Sequence, residues 1–203
     1  MFRKFASEAL GLSDIGVIVP PKDYDKVDSD DYLFHEDGEK IYFLIKSKKD
    51  EYCFTNLALI HVDGESAISS KRAIKRYDYA VHHFAHVAIE TAGTVDLDVE
   101  LKFTLDDQQK FTIDVRKDFI EQLKDIYKAL HTIGKLQKLD RQARDHALHC
   151  LGQMGGMFKL NAAATADVPV SYYNALLAGV NEAVQVRHTR RDFSAVFEKY
   201  IHA

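Results

Sequence analysis

Tryptophan is absent from the chain, and prolines (three), methionines (three) and cysteines (two) are few across its 203 residues. The two cysteines, Cys53 and Cys150, sit far apart inside apolar segments, which excludes a disulfide framework. A chain of this length with 46% hydrophobic residues can bury a core without staples, as one large domain or two small ones. Both cysteines are therefore expected to be buried free thiols, in a cytoplasmic protein. No apolar run approaches the roughly 18 residues of a membrane span. Met1 to Leu12 carry Arg3 and Lys4 without the unbroken apolar stretch of a secretion signal. Basic charge is also scarce where a nucleic-acid binder would need it. Of 27 Lys/Arg and 31 Asp/Glu, residues 134–203 hold 9 and 6 (net +3), leaving 18 and 25 (net −7) for residues 1–133. Without a basic field to neutralise phosphates, no nucleic-acid partner is expected.

What is present is a two-residue alternation. From Asp96 to Leu105 the apolar Leu97, Val99, Leu101, Phe103 and Leu105 alternate with Asp96, Asp98, Glu100, Lys102 and Thr104, the pattern of a half-buried strand. Upstream, Phe2 to Leu12 place apolar residues on one face of a short helix, and Asp14 to Asp37 form an acidic, irregular stretch in which Pro20 and Pro21 oppose helix. Ile41 to Ile45 is almost continuously apolar. Strand character resumes at Glu51 to Phe54 and Leu57 to Val62, with turns at Lys46 to Asp50 and Asp63-Gly64. Ala73 to Tyr79, His83 to Thr91 and a segment with Phe111, Ile113 and Val115 inward complete six or seven antiparallel strands, the last two joined by a turn at Asp106 to Gln108.

The period then becomes helical. Asp118 is placed to cap a helix with the stripe Phe119, Ile120, Leu123, Ile126, Tyr127 and Leu130. Two longer helices follow. One runs from about 135 to 164, interrupted near Gly155-Gly156, and the other from Ser171 to Ile201, the pair separated at Asp167-Val168-Pro169. Such a hairpin has too little inner surface for all its apolar side chains, so it needs another surface to dock on.

Glu90-Thr91-Ala92-Gly93-Thr94-Val95-Asp96-Leu97-Asp98-Val99-Glu100-Leu101 is similar to the signature before the last strands of the bacterial pleckstrin-homology (PH) family. Phe54-Thr55-Asn56 followed by Leu59-Ile60 resembles a second anchor of that family. The order of sheet, helix and helical hairpin resembles the branch with a YvbH-like C-terminal oligomerisation region. The resemblance implies an α+β fold: a PH-like antiparallel β-barrel closed by one C-terminal helix (residues 1–133), followed by an α-helical hairpin for oligomerisation (134–203). It also implies ring-like homo-oligomers. Two departures weigh against transferring phosphoinositide binding from eukaryotic PH domains: Leu57-Ala58 where a basic pair is common, and no tryptophan in the closing helix.

Several residue groups suggest chemistry. Lys46, Lys48 and Lys49 in the first hairpin turn are the candidate site for an anionic lipid headgroup or phospho-ligand, with Lys71, Arg72, Lys75 and Arg76 as a second basic group and peripheral membrane contact as the consequence. His82, His83 and His86 form His-His-x-x-His. His146, His149 and Cys150 lie one helical turn apart; either set would serve a metal-binding enzyme, yet neither reaches a full ligand set. Gly152, Gly155 and Gly156 lack the Lys-Ser/Thr of a phosphate loop. Asp96, Asp98 and Glu100 share one strand face with no nucleophile beside them, which suits an edge or subunit contact better than acid/base work. The preferred expectation is a non-enzymatic, self-assembling scaffold or binding module with no catalytic, cofactor or metal residues. Its partner is a second copy of itself, met through Asp96, Asp98, Glu100, Tyr172, Leu176, Val180, Phe193 and Phe197.

Overall fold

A computed structural model describes residues 13–64, 72–91, 98–157 and 167–201. The expected helix at Phe2 to Leu12 lies outside them, as do Gly93, Asp96 and Lys71. Eight strands are described: β1 (Val17–Ile18), β2 (Ile41–Lys46), β3 (Glu51–Thr55), β4 (Ala58–Gly64), β5 (Arg72–Asp78), β6 (Phe84–Thr91), β7 (Asp98–Leu105) and β8 (Gln109–Arg116). They form two antiparallel sheets in the orders β1-β2-β3-β4-β5 and β6-β7-β8. Gly16 links them by a parallel bridge to Val115, donating to the Asp114 carbonyl (2.7 Å) and accepting from the Arg116 amide (3.0 Å).

The two sheets use different sequence patterns because they are covered differently. In β7 and β8 one face is buried, and Val99, Leu101, Phe103, Leu105, Phe111, Ile113 and Val115 alternate with polar residues. The β2-β3-β4 sheet is buried on both faces, which is why Ile41 to Ile45 is continuously apolar. Phe43, Ile45, Phe54 and Leu59 face the barrel interior, where Phe54 and Phe84 meet Phe103 edge-on at 6.1 and 5.4 Å and Phe103 stacks on Phe111 at 4.8 Å. Leu44, Cys53, Ile60 and Val62 face outward and pack with Val19, Val27 and Leu33. The stretch expected to be irregular thus forms 3-10 turns (Pro21–Lys26, Asp28–Tyr32, His35–Asp37) that carry these apolar residues onto the sheet.

The β7-β8 hairpin turns on Asp106 and Asp107, both with positive φ (53° and 57°), and Gln108 donates to the Leu105 carbonyl at 3.1 Å. That is the two-residue turn whose twist matches the strands it joins. In β6 the register shifts between Ala85 and Ala88, and His86 adopts φ 52° in the bulge.

Helix α1 (Ile120–Met157) runs unbroken through Gly134, where a separation between two helices was expected. Its stripe Leu123, Ile126, Ala129, Leu130 and Ile133 is fully buried. Asp118 does not cap it. The residue lies inside a short 3-10 turn (Lys117–Phe119) and pairs with Arg116 at 2.5 Å instead. Helix α2 (Asp167–Asn181) begins before Pro169, because the first turn of a helix has no amide bonds for proline to remove. A π turn (Glu182–Arg187) follows, then a non-helical break and the short α3 (Ser194–Tyr200), so the second long helix expected to reach Ile201 is interrupted.

Two compact units result: residues 1–134 with 191–203, and Lys135–Arg190. The tail, assigned to the helical region by its periodicity, therefore belongs to the first unit. In the second unit the later part of α1 and the α2 segment run antiparallel. Arg190 pairs with Asp140 (3.8 Å), Arg144 donates to Thr189 (3.5 Å), and Leu151 packs 3.3 Å from where a Cβ on Gly179 would stand.

Candidate functional site

Of the three turn lysines, Lys46 is not available to a ligand. It is 9% exposed and bonded to Glu51, whose carboxylate also accepts the amides of Asp28 (3.2 Å) and Ser29 (2.9 Å). The pair anchors the 3-10 segment, which corrects the expectation for Lys46. Lys48 and Lys49 are exposed, but Lys49 lies 3.5 Å from Asp14. In the second basic group Lys75 pairs with Asp63 (2.6 Å), and Arg76 with Glu39 (3.0 Å) and Asp78 (2.6 Å).

The His-His-x-x-His group does not converge. His82 and His83 reach Asp106 at 2.7 and 3.1 Å, while His86, turned away by the bulge, reaches Asp107 at 3.3 Å. Partial burial acts to raise the Asp106 pKa, but the His83 amide and the two imidazoles bring it below the usual carboxylate range. The turn carboxylates thus hold His82 and His83 together on Asp106 and leave His86 apart on Asp107, so the three histidines do not form one ligand set. On α1, His146 Nε2 and Cys150 Sγ meet at 3.7 Å, and His149 is exposed. Cys150 is exposed too, against the expectation that both thiols are buried; Cys53 is buried and free, and burial pushes its thiol pKa up.

Asp98 and Glu100 share the polar face of β7. Lys102 pairs with Glu100 (2.5 Å) and Glu90 (2.6 Å), but Asp114 stands opposite Glu100 in the register. Desolvation and the neighbouring Glu100 and Asp98 raise the Asp114 carboxyl pKa, the mark of a concentrated negative field. In the second unit Tyr172 is exposed, and Leu176 and Val180 are half-buried.

Phe193 and Phe197 are corrected outright as contacts between copies. They are 1% and 0% exposed within the first unit. Phe197 stacks on Tyr42 (5.1 Å), and Phe193 meets Tyr79 edge-on (5.8 Å). Asn56 clamps this tail. Its carbonyl accepts the Phe193 amide (3.0 Å), its Nδ2 donates to Asp192 (2.8 Å), and its Oδ1 accepts the Lys40 amide (2.9 Å). The polar residue of the Phe-Thr-Asn anchor is thus a structural clasp.

Two features escaped the sequence reading. One is a groove of about 440 Å³ between β6 and α1, lined by Val87, Ala88, Ile89, Thr91, Ile120, Lys124 and Tyr127. Among the described residues β6 pairs only with β7, so its outer backbone edge borders that groove. The other is a cluster of Asp50, His61 and Asp63 facing the barrel interior at one end. His61 and Asp63 share a face of β4, and the β3-β4 register stacks Tyr52 on the His61 ring at 4.4 Å. The spacing His61-Val62-Asp63 was the available signal.

Two antiparallel sheets folded into a barrel, with a helix following the last strand, define the PH-like class of α+β proteins. The chain belongs to the bacterial PH domain family, whose sequence model matches residues 9–133. It is 51% identical over 203 residues, 99% of each chain, to the uncharacterized protein YvbH of Bacillus subtilis strain 168. It also resembles the crystal structure of a PH-domain-containing protein from Exiguobacterium sibiricum 255-15, with 42% identity and a TM-score of 0.80, covering 92% of this chain and 100% of the other. Among the described residues no helix is long and apolar enough to cross a membrane.

Proposed function

We propose that this protein is a non-enzymatic binding module that assembles with copies of itself into a closed, ring-like oligomer. The observation that carries this reading is the distribution of exposed apolar surface. Among the described residues, eleven large apolar side chains are 37–72% exposed; eight of them, including Leu139, Leu148, Met154, Tyr172, Tyr173 and Val186, lie in the helical unit, and three, Tyr32, Phe34 and Val81, in the barrel unit. Apolar side chains concentrated on one small unit are the usual mark of a protein contact. Among the described residues the outer edge of β6 is unpaired, and it is a second surface of a different kind, since a strand edge beside an apolar groove accepts an extended segment. Two unlike surfaces on one chain favour head-to-tail contacts, which close into rings when the rotation between copies permits.

Sedimentation velocity on the full-length protein tests this. A discrete oligomer at micromolar concentration is expected, dissociating when Tyr173→Glu is introduced while the barrel signals in near-ultraviolet circular dichroism persist. A full-length monomer at that concentration would overturn the reading. A truncation after Gly134 is a poor test, because it removes Phe193 and Phe197 from the barrel core.

A further inference from the structure

We propose that Asp50, His61 and Asp63 form a binding site for a divalent transition-metal ion at the end of the barrel. The site goes beyond self-assembly and does not depend on it. One ligand atom from each of the three residues lies within 4.8 Å of the other two. His61 is 9% exposed, and its buried Nε2 has no hydrogen-bond partner among the described residues. That nitrogen stands 3.4 Å from Asp50 Oδ1, within ion-pair distance but without hydrogen-bond geometry. A buried imidazole nitrogen left unsatisfied costs about 1–3 kcal/mol, so it calls for a partner. The separation suits an ion held between the two atoms: bonds of about 2.0–2.1 Å in a tetrahedral shell put neighbouring ligand atoms roughly 3.3 Å apart.

The surroundings fit the same purpose. Tyr52 lies parallel to the imidazole at 4.4 Å and Phe111 meets it edge-on at 6.0 Å, fixing the ring plane. Lys75 holds Asp63 Oδ2 at 2.6 Å, orienting that carboxylate and leaving the two aspartates and one ammonium with a net negative charge. One imidazole and two carboxylates favour a borderline ion such as Zn²⁺ or Co²⁺ over Mg²⁺ or Ca²⁺, which prefer all-oxygen shells. With three protein ligands, water completes the coordination. The His146 and Cys150 pair is a separate place on α1, exposed and two-membered, and serves as the internal control.

The test uses full-length protein stripped with chelator and titrated with ZnCl₂ by calorimetry, then with CoCl₂ in the visible region. One ion per chain is expected, with a cobalt spectrum free of thiolate charge transfer. Paramagnetic Co²⁺ should also quench tyrosine emission, which is readable because the chain has ten tyrosines and no tryptophan. His61→Gln and Asp50→Asn should each weaken Zn²⁺ binding at least about tenfold, the scale on which even supporting residues of metal sites act; Cys150→Ser should leave it unchanged. Should His61→Gln fail to fold, Asp50→Asn decides, since Asp50 is partly exposed. Absence of binding, binding unaffected by Asp50→Asn, or binding lost in Cys150→Ser would each overturn the proposal.

Discussion

Replacing Phe197 by alanine separates two roles for the C-terminal tail, a contact between copies and a piece of the barrel core. Phe197 has no exposed surface; its ring stacks on Tyr42 with 17° between planes and lies 6.4 Å from Tyr79. Phe→Ala at such a site costs about 3–5 kcal/mol, from lost transfer energy plus the cavity left behind. The aromatic stack places it toward the upper part of that range. Against a typical domain stability of about 5–15 kcal/mol, this is a large fraction of the total. With a urea dependence of about 2 kcal/mol per molar, the midpoint should fall by roughly 2 M. The assay is urea unfolding followed by tyrosine fluorescence at several protein concentrations, alongside sedimentation velocity. The expected result is a midpoint lowered by the same amount relative to the parent at every protein concentration, with the proposed oligomer intact at zero urea. Tyr172→Ala, at an exposed site, should leave the barrel transition within about 0.5 kcal/mol of the parent. If Phe197→Ala dissociates the oligomer and leaves the barrel midpoint unchanged, the tail is an intersubunit element and its placement in the core is wrong.

At Gly134 two effects oppose each other. Alanine favours helix by up to about 1 kcal/mol, but its Cβ would stand 2.5 Å from the Phe84 carbonyl oxygen and 3.3 Å from the carbonyl carbon. Relieving such overpacking against backbone costs about 1–3 kcal/mol. Gly134→Ala should therefore lower the melting temperature, and a rise would refute the close approach of α1 to β6. A third prediction concerns acid. Partial burial acts to raise the Asp192 pKa, but hydrogen bonds from Ser194 and Asn56 and the nearby Lys40 hold it below the usual value. A depressed carboxyl contributes stability above its unfolded pKa of about 4, lost as pH falls through the folded value. Exchange of the Phe193 and Phe197 amides should therefore accelerate relative to the intrinsic rate below about pH 4. In Asp192→Asn that acid dependence should be reduced; an identical pH profile in the variant would exclude Asp192 as its source.

Alternation in β7 and β8, the unbroken apolar run in β2 and the stripe from Leu123 to Leu130 were all legible, because period and burial are local properties. The Asp106 turn was legible for the same reason. The Asp50, His61 and Asp63 cluster was not, since its members come from the turn just before β3 and from β4 and meet only through the strand register. The histidine-rich His82 to His86 segment looked more promising in one dimension, yet the bulge turns His86 toward Asp107 while His82 and His83 share Asp106.

The amino-acid order by itself determined where the chain alternates, where it turns helical and which residues must leave water, and through its family resemblance it indicated the PH-like fold. Tertiary structure decided what covers each apolar face. Phe193 and Phe197 show the difference: their spacing requires burial, but only the return of the chain to Asn56, Tyr42 and Tyr79 makes that burial internal rather than between copies. Lys46 shows it for charge, since a turn lysine looks solvated until the fold sets Glu51 beside it. The hydrophobic effect specifies that a side chain be covered without naming the surface that covers it, and that choice belongs to long-range closure of the chain.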